Sequence, residues 1–73
     1  MFKVVAPIPG LVARVLVKEG DNVKAGDTVV VLNVMKTEIN VQSERDGVVK
    51  EIKVKEWDEV DIGSELVVLD TRG

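Results

Sequence analysis

The chain has no cysteine, no histidine and no tyrosine. Without cysteine there is no disulfide to brace a small fold and no thiolate nucleophile. Without histidine the commonest metal ligand and the commonest general base are both missing. Aromatics are nearly absent too, with one phenylalanine and one tryptophan. Only Ser43 and Ser64 carry a serine hydroxyl. No nucleophile–base pair and no ligand cluster can be assembled from this set, so the chain is not read as an enzyme in its own right. The acidic pairs Glu44/Asp46 and Asp58/Asp61 read as turn residues, because no closing glutamate stands at the spacing of a calcium loop. Ten basic residues face thirteen acidic ones, for a net charge of −3. That balance argues against nucleic acid as a partner, which requires clustered Lys and Arg. No apolar run approaches the roughly 18 residues that span a bilayer, so no direct membrane insertion is expected. The opening Met-Phe-Lys-Val-Val-Ala-Pro lacks the apolar stretch of a signal peptide. A soluble, cytoplasmic protein is expected. With 73 residues the chain suffices for one small domain, spanning 1–73.

Valine is what the chain has in abundance, at 17 of 73 residues. β-branched side chains lose rotamer freedom in helices and pack well on pleated sheets. Glycine and proline punctuate the valine runs. These features predict an all-β fold.

The sequence is also written twice. Shifted by 37, Gly10 to Leu32 falls on Gly47 to Leu69 without a gap, with 11 identities in 23 positions. Val17-Lys18-Glu19 meets Val54-Lys55-Glu56, and Val30-Val31-Leu32 meets Val67-Val68-Leu69. Alternation places Leu11, Val15 and Val17, with Val48, Ile52 and Val54, on the core face. Arg14, Lys18, Glu51, Lys53 and Lys55 then point to water. Residues 19–22 and 56–59 read as one matched pair of turns, and 25–27 and 62–64 as another. The runs Val29–Leu32 and Leu66–Leu69 are apolar without alternation, as in strands covered on both faces. Each half, about 1–33 and 38–70, thus supplies about four short strands. Two four-stranded sheets face to face give a flattened eight-stranded barrel or sandwich with a pseudo-two-fold axis, a barrel-sandwich hybrid.

Between the halves lies Val34-Met35-Lys36-Thr37, too short for anything but a hairpin. The symmetry puts both termini at the equivalent place on the opposite pole. Lys36 is then a reachable amine at the far end of the molecule. Taken alone, it is an ordinary solvated turn lysine; the repeat, its midpoint position and Met35 beside it favour a modified residue. Methionine more often fills core gaps, but at a hairpin tip it is better placed for recognition by a partner.

Val34-Met35-Lys36 between two β-repeats resembles the attachment motif of biotinyl domains, in which Ala or Val and then Met precede the modified lysine. Ala6-Pro7-Ile8-Pro9-Gly10, Val17-Lys18-Glu19-Gly20-Asp21 and Asp46-Gly47-Val48-Val49 resemble further segments of that family, and the likeness covers about residues 2–70. Thr37 stands where the family usually has methionine, and Asn33 where an acidic residue often stands. The gapless repeat resembles the thumbless carriers of pyruvate carboxylase, propionyl-CoA carboxylase or sodium-pumping decarboxylases. The resemblance implies covalent biotin on Lys36, attached by a biotin protein ligase that recognises Val34, Met35 and Thr37. It further implies a carrier that shuttles carboxylate from a biotin carboxylase to a carboxyltransferase or decarboxylase. Lysine suits this because its amine, once deprotonated by the ligase, attacks an activated biotinyl carbonyl, whereas guanidinium stays protonated.

Two alternatives remain at this point. A lipoyl domain of a 2-oxoacid dehydrogenase complex shares the repeat and hairpin, but typically has Asp before the lysine where this chain has Met35. An unmodified adaptor of the same fold has no need of a central lysine beside methionine. Trp57 occupies the turn position held by Gly20 in the first copy. Folding back over a neighbouring strand is the expectation, because small cores need cover; a contact for a partner enzyme is the other reading.

Overall fold

The computed structural model describes residues 1–71. It contains eight strands: β1 (Phe2–Val5), β2 (Gly10–Val15), β3 (Asn22–Val23), β4 (Thr28–Val34), β5 (Thr37–Gln42), β6 (Gly47–Ile52), β7 (Glu59–Val60) and β8 (Glu65–Asp70). Two four-stranded antiparallel sheets form, in the orders β1-β8-β6-β3 and β5-β4-β2-β7. Adding 37 to each residue number carries the strands of one half onto those of the other and exchanges the two sheets. The all-β, pseudo-symmetric reading therefore holds. One feature differs from a simple pairing of halves: each sheet takes two strands from each copy. No helix among the described residues is long and apolar enough to cross a membrane.

The turns form as their residues dictate. Asp21 Oδ2 accepts from Lys18 N at 3.0 Å, and Asp58 Oδ2 from Lys55 N at 3.0 Å. Asp27 Oδ2 and Ser64 Oγ do the same for Lys24 N and Asp61 N, each at 2.9 Å. Aspartate and serine favour such turns because their side chains satisfy backbone donors that the bend leaves open.

The core is aliphatic. Val12, Val29, Val30, Leu32, Leu66, Val67 and Leu69 have no exposed surface. All four residues of each predicted two-sided run are buried. Val31 and Val68 lie outside the core cluster, and charged residues flank them in the register. Arg14 and Glu51 oppose them from the neighbouring strands.

The core-face assignment on β2 and β6 needs one correction. Leu11 and Val48 are exposed, and Val12 and Val49 occupy the core instead. The register shifts between Val12 and Arg14 on β2, and between Val49 and Glu51 on β6. Each shift is a β-bulge that inserts one extra residue, Ala13 or Lys50, and so reverses the inward–outward phase. Val15, Val17, Ile52 and Val54 follow the bulge and do pack against the core.

Gly47, a residue expected at a turn or a close backbone approach, opens β6 at a close approach. A Cβ there would lie 2.9 Å from the Asp70 carbonyl oxygen and 3.1 Å from Leu69 Cβ. Its counterpart Gly10 would meet the Asn33 oxygen and Val34 Cγ2, both at 2.8 Å. Both glycines are needed for close approach of two strands.

Candidate functional site

β4 and β5 pair from Thr28↔Gln42 to Val34↔Thr37, which leaves Met35 and Lys36 as a two-residue loop. Their φ values are +50° and +69°. Positive φ at both central residues marks a type I′ turn, the form whose twist matches that of the flanking strands. Asn-Gly is the usual sequence there, so a Met-Lys pair is held in a backbone region costly to both. What holds it is visible. Asn33 Oδ1 accepts the Lys36 backbone N–H at 3.1 Å, closing the loop from the residue before the last β4 pair. The long β4–β5 ladder below fixes the register.

The hairpin stands at one pole of a molecule measuring 37 by 19 by 18 Å. β2 starts beside it, with Leu11 opposite Asn33. The chain then travels to Asn22, which pairs with Val48, itself opposite Asp70. The N- and C-terminal strands meet at that other pole, where Phe2 faces Leu69.

The four sequence-predicted residues separate in this geometry. Met35 is 92% exposed, and Lys36 and Thr37 are exposed as well. Val34 is half-buried and packs against the core, so it anchors the hairpin more than it faces a partner. The Lys36 ammonium has no ion-pair partner among the described residues. The nearest acidic residue in the chain, Glu38, is engaged elsewhere: its Oε1 lies 2.9 Å from Arg14 Nη2 on β2. In the sequence Asn33 stands out only as a departure from the motif, and Glu38 not at all. The structure gives both a task, in holding the tip and in keeping a carboxylate from it. The signal available for Asn33 was its place three residues before a predicted hairpin lysine, where a side-chain amide can cap a turn.

Trp57 is the second correction. It is 68% exposed, not folded over a strand. Its φ of +74° is the conformation that Gly20 adopts at +91° in the other copy. A Cβ built on Gly20 meets no atom within 4 Å, so the first copy of this turn is open at the matching position.

A family model described as biotin-requiring enzyme matches residues 3–69. The 1.3S subunit of methylmalonyl-CoA carboxyltransferase from Propionibacterium freudenreichii subsp. shermanii is 64% identical over 33 residues, which are 45% of this chain and 27% of that protein. The biotin carboxyl carrier protein of acetyl-CoA carboxylase from Solanum lycopersicum is 48% identical over 44 residues, 60% of this chain and 63% of that protein. Among solved structures, the urea carboxylase of Kluyveromyces lactis superposes with a TM-score of 0.88 at 30% identity, over 94% of this chain and 6% of that one. The chain thus spans about a quarter of the first of these relatives and less than two thirds of the second. These relatives side with biotin over the lipoyl alternative. With the match running through both copies and the hairpin between them, the chain belongs to the biotin-requiring family, as a biotin carboxyl carrier domain.

Proposed function

We propose that Lys36 is the attachment residue, and that its side chain, joined to biotin through an amide on Nζ, is the moving arm of a biotin-dependent carboxylase or decarboxylase. The observation that carries this reading is the tip itself: an exposed lysine with no ion pair among the described residues, on a backbone clamped by Asn33. The residues fit the group. Nζ is open to solvent, so a ligase reaches it without unfolding the hairpin. Met35, bare beside it, offers that ligase an apolar handle. Thr37 completes the exposed surface, and Val34 ties it to the core. Amide formation removes the lysine charge and breaks no ion pair among the described residues. Bound biotin supplies the carrier site for carboxylate; the chain supplies position. The partners in this reading are a biotin protein ligase, a biotin carboxylase and a carboxyltransferase or decarboxylase. The chain itself performs no catalytic step in it.

Intact-mass measurement after incubation with biotin ligase, ATP and biotin tests the assignment. One biotin is expected on the native chain and none on Lys36→Arg, with the circular dichroism of the two superimposable. Biotin on any of the six other lysines, or an unfolded Lys36→Arg chain, would overturn it.

A further inference from the structure

The duplication provides an internal control. Lys55 to Asp58 repeats the turn of Lys18 to Asp21 bond for bond. Asp58 N donates to Lys55 O at 3.1 Å, as Asp21 N does to Lys18 O at 3.1 Å. Trp57 N donates to Val12 O at 2.7 Å, as Gly20 N does to Val49 O at 2.8 Å. The first copy meets the positive φ with glycine. The second sets the largest side chain there and leaves it bare. The following residues diverge in the same direction. Asn22 becomes Glu59, Lys24 becomes Asp61, and Ala25 becomes Ile62, which is 69% exposed. Residues 56–62, a turn and β7, are therefore an acidic segment with two exposed apolar side chains. Residues 19–25 carry two carboxylates and a lysine and no exposed large apolar side chain, yet form the same backbone hydrogen bonds at the turn. The Ala25 and Ile62 N–H groups differ, donating to Asp46 Oδ1 and Asp61 Oδ1 respectively. The scaffold does not require these differences.

The segment flanks the hairpin. β7 pairs with Gly10 and Leu11, whose other neighbour is the end of β4. Leu11, Met35 and Glu59 line one cleft. Two strand spacings and a few residues of rise put Trp57 about 15 Å from the tip. The body is only 19 by 18 Å across. A standard footprint of about 800 Å² per partner is roughly 30 Å wide, so an enzyme closing over the arm also meets this flank.

We infer that segment 56–62 is a docking surface, anchored by Trp57, for the biotin carboxylase that loads the arm. This rests on the reading of Lys36 as the arm. An enzyme that binds ATP and bicarbonate gathers cationic groups around its active-site mouth. Glu56, Glu59 and Asp61, none of them in an ion pair among the described residues, complement such a mouth. The indole face accepts a guanidinium, and exposed tryptophan is a frequent anchor of protein interfaces.

Trp57 is the single tryptophan of the chain, so fluorotryptophan labels this position alone. Titration with the biotin carboxylase of the same cell should move its fluorine resonance saturably, on the biotinylated chain and on Lys36→Arg alike. Raising the salt should weaken the effect. Trp57→Gly, which installs the residue the first copy already uses, should raise the KM of the biotinylated chain about tenfold. The kcat and the carboxylation of free biotin should not change. A resonance unmoved at saturating carboxylase, or an unchanged KM, overturns the proposal. So does a response to the carboxyltransferase or the ligase with none to the carboxylase. A chain that no ligase biotinylates sinks the reading of Lys36 instead, and the fluorine titration still decides the docking.

Discussion

At the hairpin tip, two L-residues occupy a backbone region that costs roughly 1 kcal/mol or more for each side chain beyond glycine. The Asn33 amide offsets part of this through its bond to the Lys36 N–H. Asn33→Ala should therefore lower stability by about 1 kcal/mol, measured by urea denaturation, and slow biotinylation. Asn33→Asp retains an acceptor and should restore the stability. Met35→Asn relieves the turn, because asparagine tolerates positive φ, and should raise stability by about 0.5 kcal/mol while weakening ligase recognition. Thermal melting and the ligase KM would separate the two effects. At Trp57 two terms oppose each other: glycine removes the strain but forfeits the partial burial of the indole. Trp57→Gly should thus melt within about 1 kcal/mol of the parent. The lysine was legible from its place at the seam of the repeat. The exposure of Trp57 was not, because composition says that a large aromatic should cover a small core. Its 68% exposure in the structure is what overturns that expectation.

The strands were largely legible as elements. Valine runs, matched turns and the gapless repeat suffice to place eight of them and the central hairpin. The phase within β2 and β6 was not legible. Simple alternation puts Ala13 and Lys50 inward with Leu11 and Val48; a lysine there signals a break in phase, but not which residue is the extra one. The bulge makes a sharp prediction. Val12→Ala should cost about 2 kcal/mol and Leu11→Ala well under 1 kcal/mol, the reverse of what simple alternation implies. Chemical denaturation of the two variants decides between these phases. Gly47→Val should cost about 2 kcal/mol or more, since its Cβ alone would press on the Asp70 carbonyl oxygen at 2.9 Å. An unchanged melting temperature would show that β6 and β8 have room to part.

For the molecule as a whole, the repeat foretells two equal halves, and the sheets show that neither half is a unit. β1 pairs with β8 and β3 with β6, while β2 lies between β4 and β7. A peptide of residues 1–36 should accordingly be unstructured by circular dichroism, as should one of 37–73. Mixed together, they should recover the β signal. A folded half would mean that strands from one copy can cover each other. This interleaving escapes sequence reasoning because identical copies supply identical edges. Alternation does not say whether a strand pairs within its own copy or with the other.

The separation of the two poles has a consequence for motion. β1 and β8 leave the body side by side, and the lysine stands at the other end of a rigid shape 37 Å long. If such a body pivots about one anchoring point, its tip sweeps a hemisphere with nearly that radius. One tip in that volume corresponds to a local concentration on the order of 10 mM, before any flexible linker contributes. Reach of this kind comes from stiffness: the distance is spanned by a folded barrel, so no disordered chain has to be stretched or ordered each time the arm arrives.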